Sequence, residues 1–285
     1  MDYSNNSFEM AARLSIGAEV FILILIAYFV RAIVDHKSYE GQRGQLTESD
    51  NLASAVSLSA YLFSIVICLL DSLSTDSESL IAQLSDIAYK GLALICLMEL
   101  SMVLIDRLWL RGIAVKEQIH KEANVSLSLA RGAAMISIAM MLRGVLEQSE
   151  PWSEMLLWGG VGALCIFSVG AMFQWLTPYD DLAEIGRGNL SAALPLAGAW
   201  IAVGITVESA VSGESINLFA DLVSVAMYVI LATMAIWLVR ASLRWLFFRG
   251  VDLTTEITRD QNSGVALFEA TLYICVAEII CYFLN

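Results

Sequence analysis

Long apolar runs separated by short polar connections dominate this chain. They lie near 16–34, 52–72, 80–106, 124–146, 154–176, 190–211, 216–243 and 263–284. Each can cross a hydrocarbon core of about 30 Å at about 1.5 Å per residue. The runs are continuous rather than alternating. That predicts helices instead of barrel strands, because a backbone in lipid must satisfy its own hydrogen bonds. Of the three prolines, Pro151 and Pro178 fall in connections and Pro195 lies within a run. The expected fold class is an all-α polytopic membrane protein with eight transmembrane helices.

The polar positions also repeat. Asn51 opens NLASAVSLSAYL and Asn189 opens NLSAALPLAGAW, 138 residues on; Arg111-Gly112 and Arg249-Gly250 open two further blocks at the same offset. A constant offset over separated blocks predicts duplication of a four-helix unit, 1–147 and 148–285, the first copy diverged. Four being even, the copies run parallel, related by an axis along the membrane normal. A finer echo separates Asn51 from Asn124 and Asn189 from Asn262 by 73 residues. Each Asn precedes an apolar run, as a helix cap does. The sharper reading has four helix N-termini converging on one site with their positive dipole ends.

Composition agrees with the bilayer: 58% of residues are hydrophobic and 16% charged, with a mean hydropathy of +0.69. The net charge of −13 disfavours a nucleic-acid partner. Twelve Lys or Arg residues fall in connections 1–2, 3–4, 5–6 and 7–8 with their helix ends, against Arg13 and Arg143 on the other side. By the positive-inside rule both termini are expected outside, placing the protein in a bacterial inner membrane with many passes. The other side is acidic, through Asp71, Asp76, Glu78, Glu147, Glu150, Glu154, Glu208 and Glu214. The first run, preceded by acids and too long for a cleaved signal, reads as retained. Trp109, Trp152, Trp175 and Trp245 near span ends read as interfacial anchors. The five cysteines lie in apolar runs without metal spacing, so no metal or cofactor is expected.

The stretch TPYDDLAEIGRGNLSAALPLAGAWIAVG from Thr177 resembles the uncharacterised bacterial membrane family called domain of unknown function 350. The resemblance rests on Thr177, Pro178, Tyr179, Asp180, Asn189 and Asn262. It implies a tandem of two four-helix copies, the first keeping Asn51 and Asn124 but not the turn. It carries no activity.

Charge inside a membrane is costly and therefore informative. Asp86 and Lys90 stand four apart on one face and are expected to neutralise each other. Glu99, nine residues beyond Lys90, needs a partner from another helix. Arg131 and Glu269 are repeat-equivalent, each seven residues after its Asn. If both faced a pseudo-two-fold axis they would form a buried clasp joining spans four and eight. A gating or proton-relay role for Glu269, continued by Glu278, is the alternative.

The function expected from these residues is a cation or proton channel or transporter with a path at the repeat interface. The alternative is a non-transporting scaffold or subunit of an envelope-maintenance or stress complex. An enzyme is not expected, since no nucleophile–base set appears. The partners expected are the bilayer, a second copy of the chain, or a membrane or cytoplasmic protein.

Overall fold

The computed structural model describes residues 3–35, 39–70, 79–148, 152–212 and 217–284. Every regular element among them is helical, and the chain runs as four like units. The first has a span α1 (Tyr3–Val34), a short α2 (Tyr39–Thr47) and a span α3 (Leu52–Leu69). The second has α4 (Leu80–Leu104), α5 (Val115–His120) and α6 (Val125–Gln148). The third has α7 (Trp152–Leu176), α8 (Asp181–Gly186) and α9 (Leu190–Val211). The fourth has α10 (Leu218–Ser242), α11 (Leu253–Thr258) and α12 (Ser263–Leu284). Eight helices are long and apolar enough to span a membrane.

One local device builds each unit. A short helix ends, one residue turns left-handed, and an Asn starts the next span. The left-handed residues are Asp50 (φ 46°), Ala123 (φ 52°), Gly188 (φ 84°) and Gln261 (φ 49°). Only Gly188 takes this conformation freely; elsewhere the Cβ costs about 1–2 kcal/mol. The following Asn repays it by capping. The Oδ1 atoms of Asn51, Asn124 and Asn189 accept from the backbone N–H of Ser54, Leu127 and Ser191, and that of Asn262 accepts from Gly264 and Val265. Each amide also donates back to its own short helix: to Gln45, Gln118, Glu184 and Glu256 respectively, at 2.6–2.9 Å.

The amides of three of these Asn residues donate forward as well. Asn51 reaches the carbonyl of Ile119, Asn124 that of Ile185 and Asn189 that of Ile257, each at 2.9 Å. Those carbonyls lie near the ends of α5, α8 and α11. Every unit therefore ties its cap to the next unit's short helix. The four N-termini lie in succession and do not converge on one site. Val115 and Ile119 of α5, and Leu253 and Ile257 of α11, bury into the bundle, so these segments dock inward.

The most extensive helix contacts follow the same order: α3 on α6, α6 on α9, α9 on α12. Spans α6 and α9 form the centre, with 72% and 83% of their apolar windows buried against 22–44% elsewhere. Small residues let these backbones approach. A Cβ on Gly132 would come within 2.8 Å of the Ala60 Cβ, one on Gly204 within 2.7 Å of the Ser137 Cα, and one on Gly198 within 2.5 Å of the Ala270 Cα. The α6–α9 contact, where the two halves meet, is dry and close-packed. Trp109 corrects the expectation of an interfacial anchor: it is buried edge-on against Trp200 of α9, ring centroids 5.0 Å apart. Trp175 and Trp245 are exposed, and the Trp152 side chain lies outside the described residues.

Spans α4 and α10 each end in a π-helical turn, Ile105–Trp109 and Leu243–Phe247. These turns stand 138 residues apart, so the duplication extends to a rare backbone form.

Candidate functional site

Polar side chains are buried in three groups at or near the end that carries the short helices. In the first half, α1 brings Arg31 to its last turn. The guanidinium donates to Glu99 Oε2 of α4 at 2.9 Å and, through Nε and Nη2, to both oxygens of Asp35. Lys116 and His120 of the α5 segment approach the same carboxylate at 3.6 and 3.7 Å. His120 Nδ1 lies 3.0 Å from the Ser54 hydroxyl, which in turn donates to Gln45. A water-sized pocket of about 30 Å³ opens among Arg31, Asp35, Gln42, Gln45, Ser54 and His120. Burial alone would raise the Asp35 carboxyl; the surrounding His120, Arg31 and Lys116 hold it down at about 2.

The second group sits where α4 and α6 meet. Arg131 donates from Nε and Nη2 to the two oxygens of Asp106 at 2.7 and 2.8 Å, and from Nη1 to Ser57 at 3.2 Å. Asp106 lies in the π turn, which helps aim its carboxylate at α6.

The third group lies in the second half and contains the turn motif. Asp180 caps α8 by accepting from the Ala183 N–H, and the Thr177 hydroxyl donates to Asp181. Arg240 of α10 lies 3.6 Å from Glu269 of α12, and the Tyr273 hydroxyl donates to the same carboxylate. The Arg240 guanidinium lies over the rings of Phe173 and Tyr179, 5.6 and 5.9 Å from their centroids. Asp181 and Glu269 are each 1% exposed. Burial pushes the Asp181 carboxyl up to about 7, with the Thr177 hydroxyl and Arg240 pulling against it. Burial raises the Tyr179 hydroxyl too. Three buried atoms here lack a hydrogen bond of good geometry: Tyr179 OH, Asp181 Oδ1 and Arg240 Nη1.

The expected clasp is thereby corrected. Arg131 and Glu269 do not pair with each other; each pairs with a charge of the preceding span in its own half. The physical reason is the head-to-tail order of units. Span α9 stands between α6 and α12, so equivalent positions on those helices face different neighbours. Lys90 pairs with Asp86 as expected, 2.7 Å apart and partly exposed. Glu278 is exposed while Glu269 is buried. Nine residues at about 100° each turn a helix through half a circle, so the two acids cannot line one path.

Of the acidic side, Asp71, Asp76, Glu78, Glu150 and Glu214 lie outside the described residues, as do the side chains of Glu147 and Glu154. Glu208 pairs with Arg143. Among the described residues no three His, Cys, Asp or Glu side chains gather as a metal centre. Arg31, Asp35 and Asp106 were missed by sequence reading. Their signal was present: each is a charge at the end of an apolar run, where it reads as an interfacial residue until the partner helix is known.

Comparison with known proteins accounts for the repeat. A family model described as Domain of Unknown Function (DUF350) matches residues 8–146, 91–169 and 148–284. A UPF0719 transmembrane protein of Aquifex aeolicus (strain VF5) is 23% identical over 177 residues, 60% of this chain. The match spans 66%, just under two thirds, of that relative's length. No solved structure matches. Two near-complete matches in tandem, over a bundle of repeated Asn-capped spans, establish that the chain is a multi-pass transmembrane protein belonging to the DUF350 family.

Proposed function

We propose that the protein is a non-transporting membrane scaffold, a building block of an inner-membrane assembly, and not an enzyme. The observation that carries this is the pairing of intramembrane charge. Lys90, Glu99, Arg131 and Glu269 each lie against an opposite charge of their own half. The contact between the halves, where a path was expected, is filled by Ser137, Gly204 and their neighbours. A conducting pathway needs groups that exchange partners with water or an ion, and paired charges in dry packing do not offer them. The basic end, with its short helices, faces the cytoplasm on this reading.

Proteoliposomes carrying the purified protein test it. Proton and monovalent-cation flux should equal that of empty vesicles. Flux above that level, abolished by Glu99→Gln or Glu269→Gln, would overturn the reading and restore a cation or proton carrier.

A second reading has one observation in its favour. Asp181, at about 7, is poised to exchange a proton beside the unpartnered Tyr179 and Arg240 atoms. That arrangement suits a proton-responsive scaffold, whose conformation shifts near neutral pH. Tryptophan fluorescence followed across pH 5–9 should then show a transition that Asp181→Asn removes.

A further inference from the structure

The four-unit row has two unlike ends. Inside the chain one junction is made three times: an Asn amide of one unit donates to a carbonyl near the end of the next unit's short helix. The row stops at Asn262. Its Oδ1 is used in capping and its amide donates to Glu256. The second amide hydrogen, spent on the next unit by Asn51, Asn124 and Asn189, has no further unit in this chain to reach. At the other end the matching acceptor is present. Leu46 follows Gln45 as Ile119 follows Gln118, Ile185 follows Glu184 and Ile257 follows Glu256, yet no Asn-capped span precedes α2.

The helix faces at the two ends tell the same story. At the α6–α9 junction, Ser137 and Gly144 of α6 meet Gly204 and Glu208 of α9. Shifted by the repeat of 138, these positions become Cys275 and Tyr282 on α12, and Val66 and Leu70 on α3. Cys275 is exposed, Tyr282 is 81% exposed and Leu70 44%. Terminal units of a closed array normally carry a polar outer face. These two ends keep apolar ones.

We propose that further copies of this chain cover them: the α11–α12 end of one copy docks on the α2–α3 end of the next, with Asn262 donating to the Leu46 carbonyl. The contact is heterologous, so it generates a ring or a filament and not a two-fold dimer. The larger residues at Val66 and Tyr282 hold the two spans farther apart than α6 and α9. The proposal goes beyond the scaffold reading and does not need it, since a conducting protein could assemble in the same way. Flux tests that reading and crosslinking tests this one.

The native thiol of Cys275 makes the test direct. In a background of Cys96→Ala and Cys165→Ala, Val66→Cys is introduced and the membranes are treated with a short bifunctional thiol reagent. A ladder of trimers and larger species is expected, and it should vanish when Cys275→Ser is added. Asn262→Ser keeps a capping oxygen but removes the donor. It should lower the crosslink yield about fivefold, the worth of one buried hydrogen bond of about 1 kcal/mol. Crosslinks that persist with Cys275→Ser would mean a two-fold contact through α3. Absent crosslinks, with both thiols reacting with a membrane-permeant maleimide, would mean lipid covers these faces. Either outcome overturns the proposal.

Discussion

The two halves solve one electrostatic problem with opposite signs. In the first, α6 supplies the cation, Arg131, and the preceding span supplies the anion, Asp106. In the second, the equivalent place on α12 carries the anion, Glu269, and the preceding span carries the cation, Arg240. The pair has been reversed as a unit while its place in the fold is kept. What the bundle requires there is a neutral, paired contact between neighbouring spans of one half, and the polarity is secondary. The surroundings differ as well. Asp106 keeps 22% of its side chain exposed, whereas Glu269 is 1% exposed beside Tyr273 and two aromatic rings.

That difference can be broken one charge at a time. The largest effect is expected for Glu269→Leu, which leaves Arg240 buried without a counter-charge. It should cost about 3–5 kcal/mol, measured as a fall in thermal or SDS-unfolding stability in detergent. Arg240→Met added to it should recover most of the loss. Next comes Arg131→Met, expected to cost less because Asp106 retains contact with solvent or headgroups. A double-mutant cycle sharpens the point: coupling of Arg131 to Asp106 should reach about 1–3 kcal/mol, and coupling of Arg131 to Glu269 should stay below about 0.5 kcal/mol. A large Arg131–Glu269 coupling would restore the clasp.

The pH response should also separate the halves. Asp181 sits at about 7 when folded against an ordinary 3.8, so the folded state holds its proton more tightly. Stability of the second half should therefore fall as pH rises from about 4 to about 7, and Asp181→Asn should flatten that slope. Asp35 runs the other way. Held at about 2, it contributes stability above its ordinary 3.8 that is lost as pH falls towards 2, a loss Asp35→Asn removes. Smallest is the exposed Asp86–Lys90 pair, where Lys90→Gln should change stability by about 0.2–0.5 kcal/mol.

The spans, the duplication and the Asn caps were legible because each is local: an apolar run, a fixed offset, a residue before a helix. The partners of Arg131, Glu269 and Glu99 were not. Equivalence by offset says that two residues occupy matching environments, not that they face each other. Arg131 and Glu269 looked like partners because opposite charges at equivalent sites suggest a symmetry axis between them. In a head-to-tail row no such axis joins α6 to α12, and α9 fills the space. Trp109 misled for a related reason. A Trp near a span end resembles an anchor until a second Trp, 91 residues later, closes over it.

The paired π turns carry a consequence of their own. A π turn holds an extra residue in the helix, and one residue corresponds to about 100° of rotation. In Ile105–Trp109 and again in Leu243–Phe247 it acts as a vernier between the membrane part of a span and the stub that follows. Above it the helix keeps one side towards its neighbours; below it the chain is re-phased towards the short helix. A single-residue deletion within either segment would turn the π turn into ordinary α-helix without shortening the apolar span it follows. The bundle thus holds, at the same place in each half, one spare residue whose loss would reset the angle between span and short helix and leave the membrane thickness it matches unchanged.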